Sequence, residues 1–500
     1  MLKTYLHITL IVLLSAFSIQ FSVFSSQSSA FSAPRLTVVV VVDGLRQDNL
    51  DMLRPYWQQG GLRMLSEEAY QTTVDFPHLV YGGNETTATL MTGVTPSQHG
   101  YAMDQYFLRS DRHIHSLLED ASRTGIGTSL ALSPRAIYTP TLGDLMRMQQ
   151  GSNAKIFAIG INPATTIVMA GHSANACCWL DAEKQSWVST SYYPLGLPSA
   201  ADAMNMSGRI GELAEREWTP RLNITSYMRP SDHEIRKGFK YENRDILLHS
   251  PVANTLVVEL ALALQKEEKL GTDQTPDILL LQLNTITPAA TADRIQTAEQ
   301  EDIHLCLNQD LGYLIEQLQK RLGKQNVDFL VVGRPILGLG KETMTTAGIE
   351  TNTFNVDRAA ALVSTYLMAL YGHERWVDGG FGQGIYLNRI LIEQKKIQMQ
   401  TVQRQVANFL MDFEGIQTAF PQNEALLYPE LSSTLNKRQS GDVVFTLLPG
   451  WQLCKDEKTV LDNVLEPNPS APLLFWSGSF RQFPEGKLSA TDILKTFFGF

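Results

Sequence analysis

Leu36-Thr-Val-Val-Val-Val-Val-Asp43 is the stretch that most narrows what this chain can become. An unbroken valine run with no polar alternation fits a strand covered on both faces, as in a parallel sheet flanked by helices. The run stops at Asp43, a carboxylate at the carboxyl end of a strand, where open α/β sheets place their ligands. Downstream, Glu85 to Met91 reads as a helix that begins behind the bend Tyr81-Gly-Gly-Asn84. A helix start of this kind turns free N–H groups toward an anion. A carboxylate able to hold a metal beside a phosphate-facing helix start is a phosphoryl-transfer layout.

The rest of the chain supplies the partners such a strand needs. Asn49 to Tyr70 reads as a helix broken near Gly60-Gly61, and Thr141 to Met148 as a helix behind Pro140. Lys155 to Ile161 and Thr166 to Ala170 are expected strands, and Trp179 to Tyr193 turns like a hairpin at Asp181–Lys184. Helix over Val252 to Gln265, strand over Asp277 to Leu283, helix over Ala298 to Arg321 and strand over Val327 to Gly333 follow. Strands alternating with helical connections are the doubly wound pattern, so the expected fold class is α/β with a mostly parallel sheet. Residues 194–250 are polar and poorly periodic, which suggests a cap insertion. Residues 343–434 leave the pattern: helices over Val356 to Tyr371 and Thr401 to Phe413 flank Gly384–Asn388, as in a small inserted α+β lobe. Asp442 to Leu448 and Pro472 to Trp476 return to strand character, and Asp492 to Phe498 reads as a closing helix.

Composition bounds the function. With 500 residues, 44% of them hydrophobic and 18% charged, the chain can bury a sizeable core. A net charge of −10 argues against a nucleic-acid partner, whose phosphates call for an excess of Lys and Arg. Residues 1–33 read as an export signal: Lys3 supplies the positive start, Thr9 to Phe17 the apolar stretch, and small residues run on to Ala33. Cleavage leaves residues 34–500 as the mature protein, periplasmic or extracellular, and an uncleaved anchor is the alternative. No later stretch reaches the roughly 18–20 apolar residues of a membrane span. Cys177, Cys178, Cys306 and Cys454 fit no zinc or redox spacing, and leave open either one bridge or buried thiols.

Taken together, Val42-Asp-Gly-Leu-Arg46, Thr92-Gly-Val-Thr-Pro-Ser-Gln-His99-Gly100 and Ala170-Gly-His-Ser-Ala-Asn175 resemble the alkaline phosphatase superfamily. Ile385-Tyr-Leu-Asn388, Gly441-Asp-Val-Val444 and Pro472-Leu-Leu-Phe475 extend the likeness over nearly all of the chain after the signal. It is nearest to exported, single-threonine bacterial alkaline phosphatases, and looser to type I phosphodiesterases and nucleotide pyrophosphatases. The resemblance implies two divalent ions, typically zinc, about 4 Å apart, bracketing the attacking and leaving oxygens. It also implies a Thr or Ser nucleophile that one ion activates.

Position by position, that chemistry is missing. Asp43 stands at the first metal-ligand position, but the nucleophile position is Gly83, which has no side chain. Thr86, Thr87 and Thr89 could stand in only with a shifted loop. The remaining ligand positions read Thr287, Thr291, Arg334, Pro335 and Ser470. The resemblance's phosphate-gripping positions are Asn162, Ala164 and Asp104, and a carboxylate at 104 would repel a phosphate dianion. Losing one transition-state donor already costs roughly 10²- to 10³-fold in rate. Asp43 is then a remnant that can order its loop, with Arg46 or Arg334 as partner. An Asp43–Arg334 ion pair would fill the vacated metal position.

Other candidates weigh less. His113 and His115 form a His-x-His pair in a polar stretch with Arg109, Asp111 and Arg112, and read as a solvated loop. His99 and His172 belong to structural hydrogen bonding. The Asn84, Asn205 and Asn223 sequons read as chance matches. The expected function is that of an exported, catalytically inactive binding or scaffold protein, with no cofactor and an unnamed protein or small-molecule partner. The alternative is an active metal-dependent phosphomonoesterase or phosphodiesterase with divergent ligands and two zinc ions. Metal-free hydrolysis is disfavoured because no Ser/His/Asp set is visible.

Overall fold

A computed structural model describes residues 34–80, 83–229, 247–287, 297–334, 348–454, 470–479 and 481–500. Its spine is a ten-stranded sheet. Val327–Arg334, Leu36–Asp43, Asp277–Asn284, Ile156–Gly160 and Ala176–Asp181 lie side by side in that order and run parallel. Ser470–Ser477 pairs antiparallel with Val327–Arg334 on one flank, and Ser186–Thr190 pairs antiparallel with Ala176–Asp181 on the other.

The valine run explains the layers. Successive side chains of a strand point to opposite faces, so Val38, Val40 and Val42 enter one apolar cluster while Val39 and Val41 enter the other. The first cluster is completed by helices Pro251–Glu267 and Ala298–Leu322, the second by Asn84–Thr92 and Pro163–Ala170. Every residue from Leu36 to Asp43 is buried. At about 25 cal/mol per Å² of apolar surface, this two-sided burial is what makes the first strand the centre of the fold. Neighbouring Cys177 and Cys178 fall into opposite clusters by the same alternation, and all four cysteines are buried free thiols.

Some local expectations give way. Thr166 to Ala170, expected as a strand, is the second half of helix Pro163–Ala170. Asn162 caps it by accepting a hydrogen bond from the Thr165 amide, and Pro163 sits at its first position, where the missing N–H costs nothing. A short apolar run cannot by its period alone be told from buried helix. His113–Ser116 is a strand paired with Gln105–Leu108, not a loop. The closing helix is a short 3-10 turn, Ala490–Asp492, followed by a π-helical turn, Leu494–Phe498.

In the 194–250 stretch, helices Ser199–Met206 and Arg209–Ala214 send Ala201, Ile210 and Leu213 into the first cluster. A second sheet, of four strands in the order Val377–Phe381, Gly384–Leu387, Val443–Leu447 and Ile416–Pro421, has its own apolar cluster with helices Val356–Tyr371 and Met399–Leu410. Val443–Leu447 thus joins the lobe sheet from beyond residue 434. Leu79, Ala425, Leu431, Leu435 and Val444 seal the seam between the two sheets' territories. No helix among the described residues is long and apolar enough to cross a membrane.

Candidate functional site

The parallel register sets the site. Asp43 lies level with Arg334 on one side and Asn284 on the other, so three strands end their side chains at one place. Gly44, at φ +76°, turns the chain away, and a Cβ there would lie 2.9 Å from the Thr285 hydroxyl. The Thr285 amide and hydroxyl both donate to the Asp43 carbonyl, at 2.8 and 2.7 Å.

Asp43 and Arg334 form a two-pronged ion pair. Arg334 Nε donates to Asp43 Oδ1 at 2.6 Å and Nη2 to Oδ2 at 2.5 Å, the fork geometry that makes such pairs strong. Gln282 Nε2 adds a bond to Asp43 Oδ2 at 2.9 Å, while its Oε1 accepts from the Ile161 and Asn162 amides. Both side chains are nearly fully buried, at 6% and 7% exposed. Burial alone would lower the Arg334 pKa, but the facing Asp43 carboxylate outweighs it and holds the guanidinium firmly protonated. Arg46, the other candidate partner, turns outward to Asp48.

The third prong of Arg334 reaches the helix start. Nη1 donates to Asn84 Oδ1 at 2.6 Å, which also accepts from the Thr165 hydroxyl at 2.6 Å. Asn84 Nδ2 donates to both Asp104 oxygens, at 2.9 and 3.0 Å, and the Tyr101 hydroxyl donates to Asp104 Oδ1 at 2.6 Å. Asp104 therefore orients Asn84. Gly83 caps the helix in the left-handed region at φ 93°.

None of the substitute nucleophiles is presented for attack. Thr86, Thr87 and Thr89 are all wholly buried. The Thr86 hydroxyl bonds the Gly83 carbonyl, and the Thr89 hydroxyl donates to the Glu85 carbonyl at 3.0 Å. Thr87 Oγ1 is buried without a partner among the described residues. Thr89 also lies 2.9 Å from His78 Nε2 and 3.2 Å from His99 Nε2. Desolvation lowers the pKa of His78 to about 4 and of His99 to about 3, so both rings are neutral.

The other expected positions scatter. Thr287 is buried, and its hydroxyl has no partner among the described residues. Ser470 begins an antiparallel strand opposite Asp75. Thr291 and Pro335 lie outside the described residues. Asn162 is spent on its cap, and Ala164 follows it in the same helix. His115 Nε2 pairs with Asp111 Oδ2 at 2.8 Å on the exposed hairpin. His172 Nδ1 bonds Asp144 Oδ2 at 2.7 Å and its Nε2 the Ile137 carbonyl at 3.0 Å, as a structural hub.

A two-zinc centre does not fit these residues. Both oxygens of Asp43 accept from a guanidinium that stands where the resemblance places a ligand. Among the described residues no group of three or more His, Cys, Asp or Glu side chains could hold a metal ion. Gln282, Asn84 and Thr165 were not legible as members of this site; only an amide at position 282 in an otherwise apolar strand hinted at a buried polar partner.

The sheet, the carboxylate at the end of its first strand and the helix start facing it define an α/β fold of alkaline phosphatase type. The chain belongs to the type I phosphodiesterase / nucleotide pyrophosphatase family, whose model matches residues 37–466. It is 22% identical to alkaline phosphatase PafA of Elizabethkingia meningoseptica over 94% of this chain and 92% of that protein. It is 24% identical to alkaline phosphatase PhoV of Synechococcus elongatus over 84% and 80%. The crystal structure of wild-type alkaline phosphatase PafA superposes with a TM-score of 0.80 at 20% identity, covering 92% of this chain and 94% of that one.

Proposed function

We propose that this family member has exchanged its metal centre for an internal ion pair and works as an exported, non-catalytic binding or scaffold protein. The observation that carries this reading is the buried Asp43–Arg334 fork. A fixed cation on a ligand position repels a divalent ion, and with Gln282 it takes three of the carboxylate's roughly four acceptor sites. Gly83 offers no nucleophile, and among the described residues no cluster could hold a metal to activate one. Export rests on the character of residues 1–33, and the acidic balance disfavours a nucleic-acid partner.

The test uses the mature protein. Zinc is measured by elemental analysis, and p-nitrophenyl phosphate and bis-p-nitrophenyl phosphate are assayed with added zinc. The expected result is substoichiometric metal and no turnover above buffer. The relatives named as alkaline phosphatases favour the second reading, an active metal-dependent phosphomonoesterase or phosphodiesterase. Stoichiometric zinc with turnover abolished in Asp43→Ala would establish it instead.

A further inference from the structure

A cleft of about 610 Å³ opens on the seam between the main sheet's territory and the lobe. Ser97 and Tyr138 line it from the main body, and Ser432, Asn436, Lys437 and Arg438 from the lobe. None of the residues lining it is acidic, in a chain with 51 acidic and 41 basic residues. Lys437 and Arg438 are exposed and form no ion pair among the described residues, whereas Arg404, Arg389 and Lys395 on the same lobe are each paired.

The turn that carries the two cations is built. Asn436 is buried; its Oδ1 accepts from the Arg438 amide at 2.9 Å and its carbonyl from the Gln439 and Ser440 amides at 3.1 and 2.8 Å. Gln422 Nε2 donates to the Ser440 carbonyl at 3.2 Å. Across the cleft, Tyr138 is half exposed yet fixed: its amide bonds the His99 carbonyl at 2.9 Å, and its ring lies against Gly100, where a Cβ would come within 2.6 Å. Two unpaired cations side by side on a held turn, with hydroxyls and an aromatic ring opposite, form a positive recess in an otherwise acidic molecule. Such a recess concentrates anions.

We infer that this cleft is a second ligand site, which takes a small organic oxyanion ester, phosphate or sulfate. Lys437 and Arg438 bind the oxyanion, the Ser97 and Ser432 hydroxyls donate to its remaining oxygens, and the Tyr138 ring covers the organic body. Arg suits the planar two-oxygen face of such a group, and Lys adds a point charge. None of its lining residues is among those that bond Asp43 or Arg334, so the proposal owes nothing to whether that centre turns over.

The test is calorimetric titration of the mature protein with phenyl sulfate and with phenyl phosphate. Saturable one-site binding of at least one ester is expected, weakened about tenfold in the Lys437→Glu/Arg438→Glu protein, in line with two exposed charge contacts. Lys437→Gln/Arg438→Gln, which preserves the turn and removes only charge, weakens binding in the same direction and serves if the reversed variant fails to fold. No saturable heat with either ester, or binding unchanged in the Gln pair, would overturn the site. Phenyl sulfate reads the cleft independently of any phosphate hydrolysis, so failure here and failure of the non-catalytic reading are separately visible.

Discussion

At the scale of single residues, Arg334 does what a bound cation does in a metal centre: it neutralises a buried carboxylate and ties it to the opposing helix start. Removing one partner of such a buried pair leaves an uncompensated charge, at a cost of about 3–5 kcal/mol, while removing both can be close to neutral. Arg334→Met should therefore lower the urea unfolding free energy by roughly that amount. Arg334→Met/Asp43→Asn should recover most of it. An unchanged midpoint in the single variant would mean the pair holds nothing together. The histidines give the pH dependence. The hydrogen bond to the Asp144 carboxylate stabilises the protonated ring of His172, so its pKa is raised; its contribution is complete below the unfolded value of about 6.5 and is lost as pH rises through the folded value. His78 and His99 are buried neutral, with pKa values lowered to about 4 and about 3, so their contribution is complete above about 6.5 and is lost as pH falls. The melting temperature should peak near neutrality, with His172→Gln flattening the alkaline limb and leaving the acid limb in place. A profile with the same alkaline slope in the variant would refute that assignment. The sequence could mark Asp43 and Arg334 as candidates because both end apolar strands. It could not mark Asn84 as the bridge between them and Asp104, since no spacing rule links residues on three separate elements.

Among elements, Asp302 gathers most of the bonds that hold the 218–228 segment to helix Ala298–Leu322, beside Glu301, which accepts from the Met228 amide at 3.1 Å, and Cys306, which accepts from Arg221 Nε at 3.3 Å. Asp302 is wholly buried and accepts from Trp218 Nε1 at 2.6 Å, the Arg221 amide at 2.7 Å and the Tyr227 hydroxyl at 2.5 Å. Asp302→Ala strands those donors, each worth about 1–3 kcal/mol when buried unpaired. The expected outcome is faster limited proteolysis within residues 218–228, with the sheet's own unfolding much less affected. Equal protection in wild type and variant would show that the other contacts hold the segment without Asp302. Asp442 plays a like part for the lobe, joining Arg109, Arg389 and the Leu387 amide at 2.7 Å each. Long elements with a clear period were readable beforehand, as with Val356–Tyr371, whose bounds match. Thr166–Ala170 was not, because a cap at Asn162 and a proline at 163 outweigh the β-branched character of the run.

For the molecule as a whole, a fold of this type normally gathers its strand ends around bound ions. Here the Arg334 side chain neutralises Asp43, and the non-catalytic reading proposed above expects a native state that is complete without a bound ion. A ligand that binds only the folded chain stabilises it by mass action, and its removal lowers the melting temperature. Exhaustive treatment with EDTA should leave this protein's melting temperature within about 1 °C of its starting value, given that 1 kcal/mol moves a large domain by about 2–4 °C. A drop of several degrees, restored by zinc, would instead reveal a metal that the native state depends on.

The amino-acid sequence by itself determined the α/β class and the central strand, because those follow from the apolar period along the chain. Only the tertiary structure decided which residue would answer Asp43. Arg46 and Arg334 were both candidates in the sequence, and the choice came from parallel register: Arg334 ends its strand level with Asp43, while Arg46 lies beyond the turn at Gly44 and faces Asp48. Contacts between strand ends depend on how the strands are laid side by side, and that is set by the packing of the whole core.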